Sequence, residues 1–473
     1  MLFSSVIFIF KFLPLALLFY FLVKDSSRNL FFKNIFLLII SLIFYAWGEP
    51  IYVLLMILSI VVNYIFGILI EKNSPKPSRW ALITGILVNV SLLIYFKYSG
   101  FITQNIQAIF HLKLENTHTV ALPIGISFYT FQSLSYLIDV YRKDVKAQTS
   151  VINVGLYISF FPQLIAGPIV RYTDINHQID NRKVEWDGFV LGVQRFIIGL
   201  AKKVLLANTL GEVADKIFML PHNEITTLCS WLGILCYSFQ IFFDFSGYSD
   251  MAIGLGRMFG FTFLENFNYP YAAKSIRDFW RRWHISLSSW FRDYLYIPLG
   301  GNRGTILRTH VNLIIVFFIT GLWHGASWNF VIWGLFHGFF LIVERGRFGT
   351  WMERQWTPFQ HLYAVLVVVV GWVFFRLNTL NEAWSSLKVM SGAGLPGNHP
   401  FDFVDFINQK VLVTFIAAIM FSTSWIKWRT YETPNVQTTL WSTIVTVVLL
   451  CLFILSIANI ASDTYNPFIY FRF

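Results

Sequence analysis

Two histidines, His324 and His337, stand in strongly apolar sequence: Ile319-Thr-Gly-Leu-Trp-His-Gly-Ala-Ser-Trp-Asn-Phe-Val-Ile-Trp-Gly-Leu-Phe-His-Gly338. An ionisable side chain at membrane depth is costly; it marks a reaction centre or pathway, or a histidine held for structural reasons by hydrogen bonds. Burial disfavours the cation, so such a histidine stays neutral near pH 7 and can take a proton from a substrate hydroxyl. His324 lies between Trp323 and Gly325, which predicts an aromatic wall on one side and open space on the other. His337 follows 13 residues later, about 220° around a continuous helix. That spacing is not the i,i+4 of a metal pair, no Cys or carboxylate joins the two, and no metal is expected.

A second concentration runs from Tyr271 to Arg303 and includes Ser275-Ile-Arg-Asp-Phe-Trp-Arg-Arg-Trp-His284. Ser275 followed by Asp278 has the form of an N-cap with an acidic N3 partner. The helix after it carries Arg277 and Arg281 one turn apart, interleaved with Trp280, Trp283 and Trp290. Such a helix suits the headgroup level of a membrane. It also suits a mouth that holds an anionic donor, such as a nucleotide-linked thioester, beside His284. Nucleic acid needs a solvated basic face, which this aromatic stretch does not offer, so no nucleic-acid partner is expected.

Asp244 and Asp250 lie in an apolar passage, Asp244-Phe-Ser-Gly-Tyr-Ser-Asp250. They need cationic partners, from Arg257 or from another helix, either as a structural ion pair at a broken helix or as tunnel lining. Pro162-Gln-Leu-Ile-Ala-Gly-Pro168 reads as an unwound turn that ends a span and can line a cavity.

The elements that must position these residues are membrane helices. The chain has 473 residues, 56% hydrophobic and 19% aromatic, with 50 Phe and only 13% charged; a soluble chain carries roughly 25% charged residues. Soluble enzyme, disulfide scaffold, disordered protein and β-barrel porin are excluded on that basis. The three cysteines read as small apolar residues. Apolar runs near the roughly 20 residues of a crossing helix occur at Phe3–Val23, Phe31–Trp47, Ile51–Ile70, Trp80–Tyr98, Ala121–Val140, Val151–Val170, Asn312–Trp323, Phe330–Val343, His361–Leu377, Val411–Trp425 and Leu440–Ile460. Phe101–Leu112, Gly188–Ala207 and Cys229–Phe263 are short, charged or interrupted, and read as re-entrant or interfacial. The expectation is an all-α polytopic protein of about 11 spans, one domain over residues 1–473, with the first span retained rather than cleaved. The net charge of +11 fits Lys and Arg in cytoplasmic loops. Lys24 to Lys33, Lys72 to Arg79 and Arg142 to Lys146 alternate with basic-poor turns, which places the amino terminus outside.

These motifs together resemble the membrane-bound O-acyltransferase (MBOAT) superfamily, in the bacterial branch that holds the alginate O-acetylation membrane protein and the peptidoglycan O-acetyltransferases. The resemblance rests on Leu122-Pro-Ile-Gly-Ile-Ser-Phe-Tyr-Thr-Phe131, Pro162–Ile169, Asp244–Gly254, Phe279–Ser288, Arg292–Arg303, Gly321-Leu-Trp-His-Gly-Ala-Ser-Trp328 and Pro467–Phe473, in order along nearly the whole chain.

The resemblance implies a ring of tilted helices around a tunnel reaching a central histidine. The family's essential histidine falls on His324, expected as general base, and a second functional histidine on His284, expected to position the donor or stabilise an oxyanion. Arg281, Arg282, Trp283 and Trp323 are the expected donor-binding residues. Tyr470 is either an acyl relay or an aromatic anchor. The implied donor is acetyl-CoA or another acetyl thioester, with no permanently bound cofactor. The implied acceptor is a cell-envelope polysaccharide, peptidoglycan ahead of alginate, reached through an extracytoplasmic acetyltransferase partner protein from a bacterial cytoplasmic membrane. A D-alanyl transfer protein for teichoic acid is the alternative within the superfamily, and a secondary transporter the alternative outside it.

Overall fold

Hydroxyl and amide side chains start many of the helices. Ser78, Ser150, Ser275, Thr305, Thr379 and Asn408 each accept a hydrogen bond from the backbone N–H three residues on, satisfying donors that a helix start leaves free. The computed structural model describes residues 1–24, 27–72, 76–111, 121–394, 400–423, 439–462 and 465–469. Among them the regular secondary structure is helical, apart from one isolated β-bridge between Ile225 and Phe401, in accord with the all-α expectation.

The helices that organise the chain are α1 (Phe8–Leu22), α2 (Ser27–Gly48), α3 (Tyr52–Glu71), α4 (Arg79–Phe110), α5 (Ile126–Arg142), α6 (Val151–Ser159), α7 (Trp186–Ala201) and α8 (Thr227–Met258). They continue with α9 (Ile276–Arg282), α10 (Ile285–Phe291), α11 (Ile306–His324), α12 (Trp328–Val343), α13 (Thr357–Arg376), α14 (Gln409–Ser422) and α15 (Thr439–Ser462). Among the described residues seven helices are long and apolar enough to cross a bilayer (α2, α3, α4, α8, α11, α13 and α15), and α1, α12 and α14 are shorter apolar helices. Two compact units result, Met1–Phe196 with Ser249–Leu264, and Ile197–Tyr248 with Glu265–Phe473.

In the first unit α5 is buried on nearly every face although it carries Thr130, Gln132, Ser133, Ser135 and Asp139. It packs against α3 and α4, which are joined by a reciprocal amide pair of Asn63 and Asn89 at 2.9 and 3.1 Å. Two expected spans take another form here. Helix α5 begins only after Gly125, whose φ of +78° and 2.9 Å approach to the Leu164 carbonyl oxygen no side chain would allow. Helix α6 stops at Ser159, and a helical turn, Phe161–Leu164, follows before Gly167. A Cβ at Gly167 would fall 2.6 Å from the Gln163 Cα. The unwound turn expected from Pro162–Gly167 is therefore present.

Two passages expected to be short or interrupted are continuous. Phe101–Leu112 continues Trp80–Tyr98 as far as Phe110 in the single 32-residue helix α4, and Cys229–Phe263 forms the 32-residue α8 through Met258. The carboxylates of α8 do not break it because each is neutralised by a cation on a neighbouring element. In the first unit Arg195 Nη2 lies 2.6 Å from Asp250 Oδ1; in the second Lys203 Nζ lies 2.9 Å from Asp244 Oδ1. Gly254 faces the Gly192 carbonyl and Gly247 the Gly199 carbonyl, so these glycines admit close backbone approach and do not end the helix.

Candidate active site

Helices α11 and α12 of the second unit form a tight hairpin around Gly325-Ala-Ser327. Cβ atoms added at Gly321 and Gly334 would run into the carbonyl oxygens of Phe330 and Phe317, so only glycine lets the two backbones meet there. His324, the last residue of α11, is 3% exposed. Its ring lies edge-on to Trp333 at 5.0 Å and 88°, with Trp323 at 4.8 Å and Phe375 of α13 at 5.2 Å. The open space expected beside Gly325 is not there: the Phe330 ring fills the position a Cβ would take. His337 does not continue the helix of His324, because the chain reverses between them. It meets the same Trp333 at 5.2 Å, and neither of its ring nitrogens has a hydrogen-bond partner among the described residues.

His284 joins α9 to α10 in the left-handed conformation, with φ 45° and ψ 56°. A non-glycine residue there costs about 1–3 kcal/mol. The flanking backbone holds it: Ile285 N–H donates to the Asn266 carbonyl at 2.9 Å, and Asn268 N–H to the Arg282 carbonyl at 2.9 Å. The reversal splits the expected long helix, so that Trp283 and Trp290 lie beyond α9, while Ser275 caps α9 as the sequence predicts, accepting from Asp278 N–H at 3.0 Å. The His284 side chain is fully buried, edge-on to Phe245 of α8 at 4.6 Å and 6.1 Å from the ring of Trp323. Burial lowers its pKa to about 3, which leaves it neutral. Trp323 therefore contacts both histidines, 40 residues apart in sequence.

Three clefts of about 440, 560 and 280 Å³ share Arg277 and Arg281 in their linings. The first is also lined by Ile285, next to His284, by Thr320, one turn before His324, and by Trp280. Trp280 in turn packs on Trp333 at 5.7 Å. The second is lined by Arg277, Arg281, Arg345 and His310 and by no carboxylate. Among the described residues, then, a cationic mouth adjoins the two elements that carry His284 and His324.

The expected donor-binding residues divide. Arg281 lines all three clefts, whereas Arg282 is held by Asp278 at 2.8 Å and by the Asn268 carbonyl. Trp283 lines none of them and stacks on Phe279 at 5.5 Å, with Trp372 at 5.0 Å. Asp244 and Asp250 are structural partners of Lys203 and Arg195. Asp250 thus meets an arginine from another helix, as one of the two expected arrangements had it. Tyr470 lies outside the described residues. Sequence reasoning passed over Arg345, Trp333 and Asn266; Asn266 stands in no motif, and its aromatic neighbours Phe267 and Tyr269 are the single hint that its amide is buried.

Residues 84–380 match the family model described as MBOAT, membrane-bound O-acyltransferase family. The probable alginate O-acetylase AlgI of Azotobacter vinelandii is 45% identical over 400 residues, 83% of this chain and 79% of its own. The protein of the same description from Pseudomonas putida is 40% identical across the whole of both chains. The peptidoglycan O-acetyltransferase of Helicobacter pylori is 40% identical over 423 residues, 83% of this chain and 80% of its own.

Proposed function

As the chain belongs to the membrane-bound O-acyltransferase family, we propose that it takes an acetyl group from a thioester donor on the cytoplasmic face. It then passes that group across the membrane for O-acetylation of a cell-envelope polysaccharide. The observation that supports this most directly is the cationic cleft whose lining runs from Arg277 and Arg281 to Ile285 and Thr320, on the two elements that carry His284 and His324. Guanidiniums at the mouth suit the phosphates of a nucleotide-linked donor such as acetyl-CoA, and a dry aromatic floor suits a neutral base.

In this reading His324 takes the proton of the attacking hydroxyl as its oxygen forms a bond to the thioester carbonyl carbon. The carbon–sulfur bond breaks, and the thiolate leaves to take up the proton. The first hydroxyl is that of an acyl relay, for which Tyr470 is the candidate, and an extracytoplasmic transferase carries the group to the polymer. Both named polymers of the relatives, alginate and peptidoglycan, are candidate acceptors.

The test is purified protein incubated with acetyl-CoA labelled in the acetyl group, together with mild alkaline release of acetate from the envelope polymers of cells expressing it. Wild type should release CoA and acetylate one polymer, with His324→Ala reduced at least about a hundredfold. Label held on wild type but absent from Tyr470→Phe would establish the relay. D-alanine instead of acetate on the polymer, or CoA release unchanged in His324→Ala, would overturn the assignment.

A further inference from the structure

Three polar groups meet at the Asn266 side chain. Asn266 Oδ1 accepts from Ser286 N–H at 3.2 Å and from Ser286 Oγ at 2.9 Å, and stands 3.0 Å from His284 Nδ1. A backbone N–H can only donate, so the Asn266 atom facing Ser286 N–H is the amide oxygen and not the nitrogen. An amide oxygen can only accept. The His284 nitrogen facing it must therefore carry the hydrogen. In a neutral imidazole one nitrogen is a donor and the other a lone pair, so His284 Nε2 is the lone pair. It is buried and has no hydrogen-bond partner among the described residues, while Ile285 and Leu287, one and three residues further along the chain, line the 440 Å³ cleft.

We propose that Asn266 is a positioning residue that holds His284 as the Nδ1–H tautomer, so that His284 meets substrate through a lone pair and works as a hydrogen acceptor beside His324. This rests on the acyltransferase reading of the site and changes one part of it. Stabilising an oxyanion needs an N–H aimed at the oxygen, and His284 in this tautomer has none on its unpaired side. The left-handed turn at His284 is what brings Nδ1 back to Asn266, since the same loop pairing fixes Ile285 N–H on the Asn266 carbonyl. Ser286, two residues on, locks the amide orientation with both its backbone and its hydroxyl.

The test is ¹⁵N NMR of the full chain in detergent micelles with labelled histidine, using His284→Gln to identify the His284 signals. Wild type should show a protonated Nδ1 and a non-protonated Nε2. An Asn266→Asp carboxylate can still accept from Nδ1–H and should keep that pattern; Asn266→Ala should lose it, the two nitrogens moving toward averaged shifts. Polymer acetylation in cells should fall at least about tenfold in Asn266→Ala and recover in part in Asn266→Asp. A protonated Nε2 in wild type overturns the proposal, as does an Asn266→Ala protein with unchanged spectrum and activity. Failure of the acyltransferase reading would leave the wild-type spectrum as stated and remove only the acetylation readout.

Discussion

Adjacent residues in a sequence can hold opposite fates, and Arg281 and Arg282 are such a pair. The Arg282 guanidinium is committed to Asp278 at 2.8 Å, both side chains about 30% exposed. Arg281 projects into the shared lining of the three clefts with Arg277 and, in two of them, Arg345. A charge-assisted hydrogen bond to a donor phosphate is worth about 1.5–3 kcal/mol, or roughly ten- to hundredfold in affinity. With acetyl-CoA as donor, Arg281→Ala should raise KM by about tenfold or more with kcat nearly unchanged, and the deficit should shrink as salt screens the remaining arginines. Arg282→Ala should leave KM within about threefold and lower stability by less than about 1 kcal/mol, as expected of a half-exposed pair. Initial rates against donor concentration at low and high salt decide between them; equal effects of the two substitutions would remove Arg281 from the donor mouth.

The hairpin of α11 and α12 shows how two helices fix one side chain through backbone contact alone. Gly334 and Gly321 allow the two backbones to approach, and the hairpin turn then presents His324 to Trp333. Gly334→Ala would drive a Cβ into the Phe317 carbonyl. The overpacking should cost about 1–3 kcal/mol and tilt α11 so that acetylation falls with stability. Gly188→Ala on α7 is the matched control, because nothing lies within 4 Å of its Cβ position; it should be neutral or slightly stabilising. Thermal melting in detergent reads both, and an unaltered melting temperature in Gly334→Ala would show that the helices can slide apart at no cost.

This scale is also where the sequence was least complete. The apolar runs and the Ser275 cap are written in local residue order, as is the turn at Gly167. The continuity of α8 is not, since it depends on Lys203 and Arg195 arriving from elsewhere to neutralise Asp244 and Asp250. Nor is the space beside Gly325, which a tertiary contact with Phe330 fills. Asn266 acts through a loop pairing with residues 282–286, a relation that no periodicity encodes.

At the scale of the molecule the recurring device is a buried charge neutralised across long sequence separation. Lys203 and Asp244 are each 2% exposed and 2.9 Å apart, and between them they hold the segment 465–469. Lys203 Nζ donates to the Pro467 carbonyl and to Asn208 Oδ1, and Asp244 Oδ2 accepts from Ile469 N–H at 2.8 Å. Tyr248 packs on Phe468 at 4.6 Å, and Tyr465 donates to Asp215, which also pairs with Arg376. Removing one member of a buried ion pair strands the other, typically at about 3–5 kcal/mol, and here it also frees a backbone N–H. Asp244→Ala should therefore melt at lower temperature and expose residues 465–469 to protease while α8 stays protected. Replacing both partners, Lys203→Met with Asp244→Leu, removes the stranded charge and should recover part of the melting temperature. It cannot restore acceptors for Ile469 N–H or donors for the Pro467 carbonyl, so the segment should stay cleavable. Limited proteolysis of wild type, single and double variants separates the two effects. A double variant with both stability and protection at wild-type level would show that packing of Phe468 alone holds the segment; a single variant still protected would show that the ion pair does not anchor it.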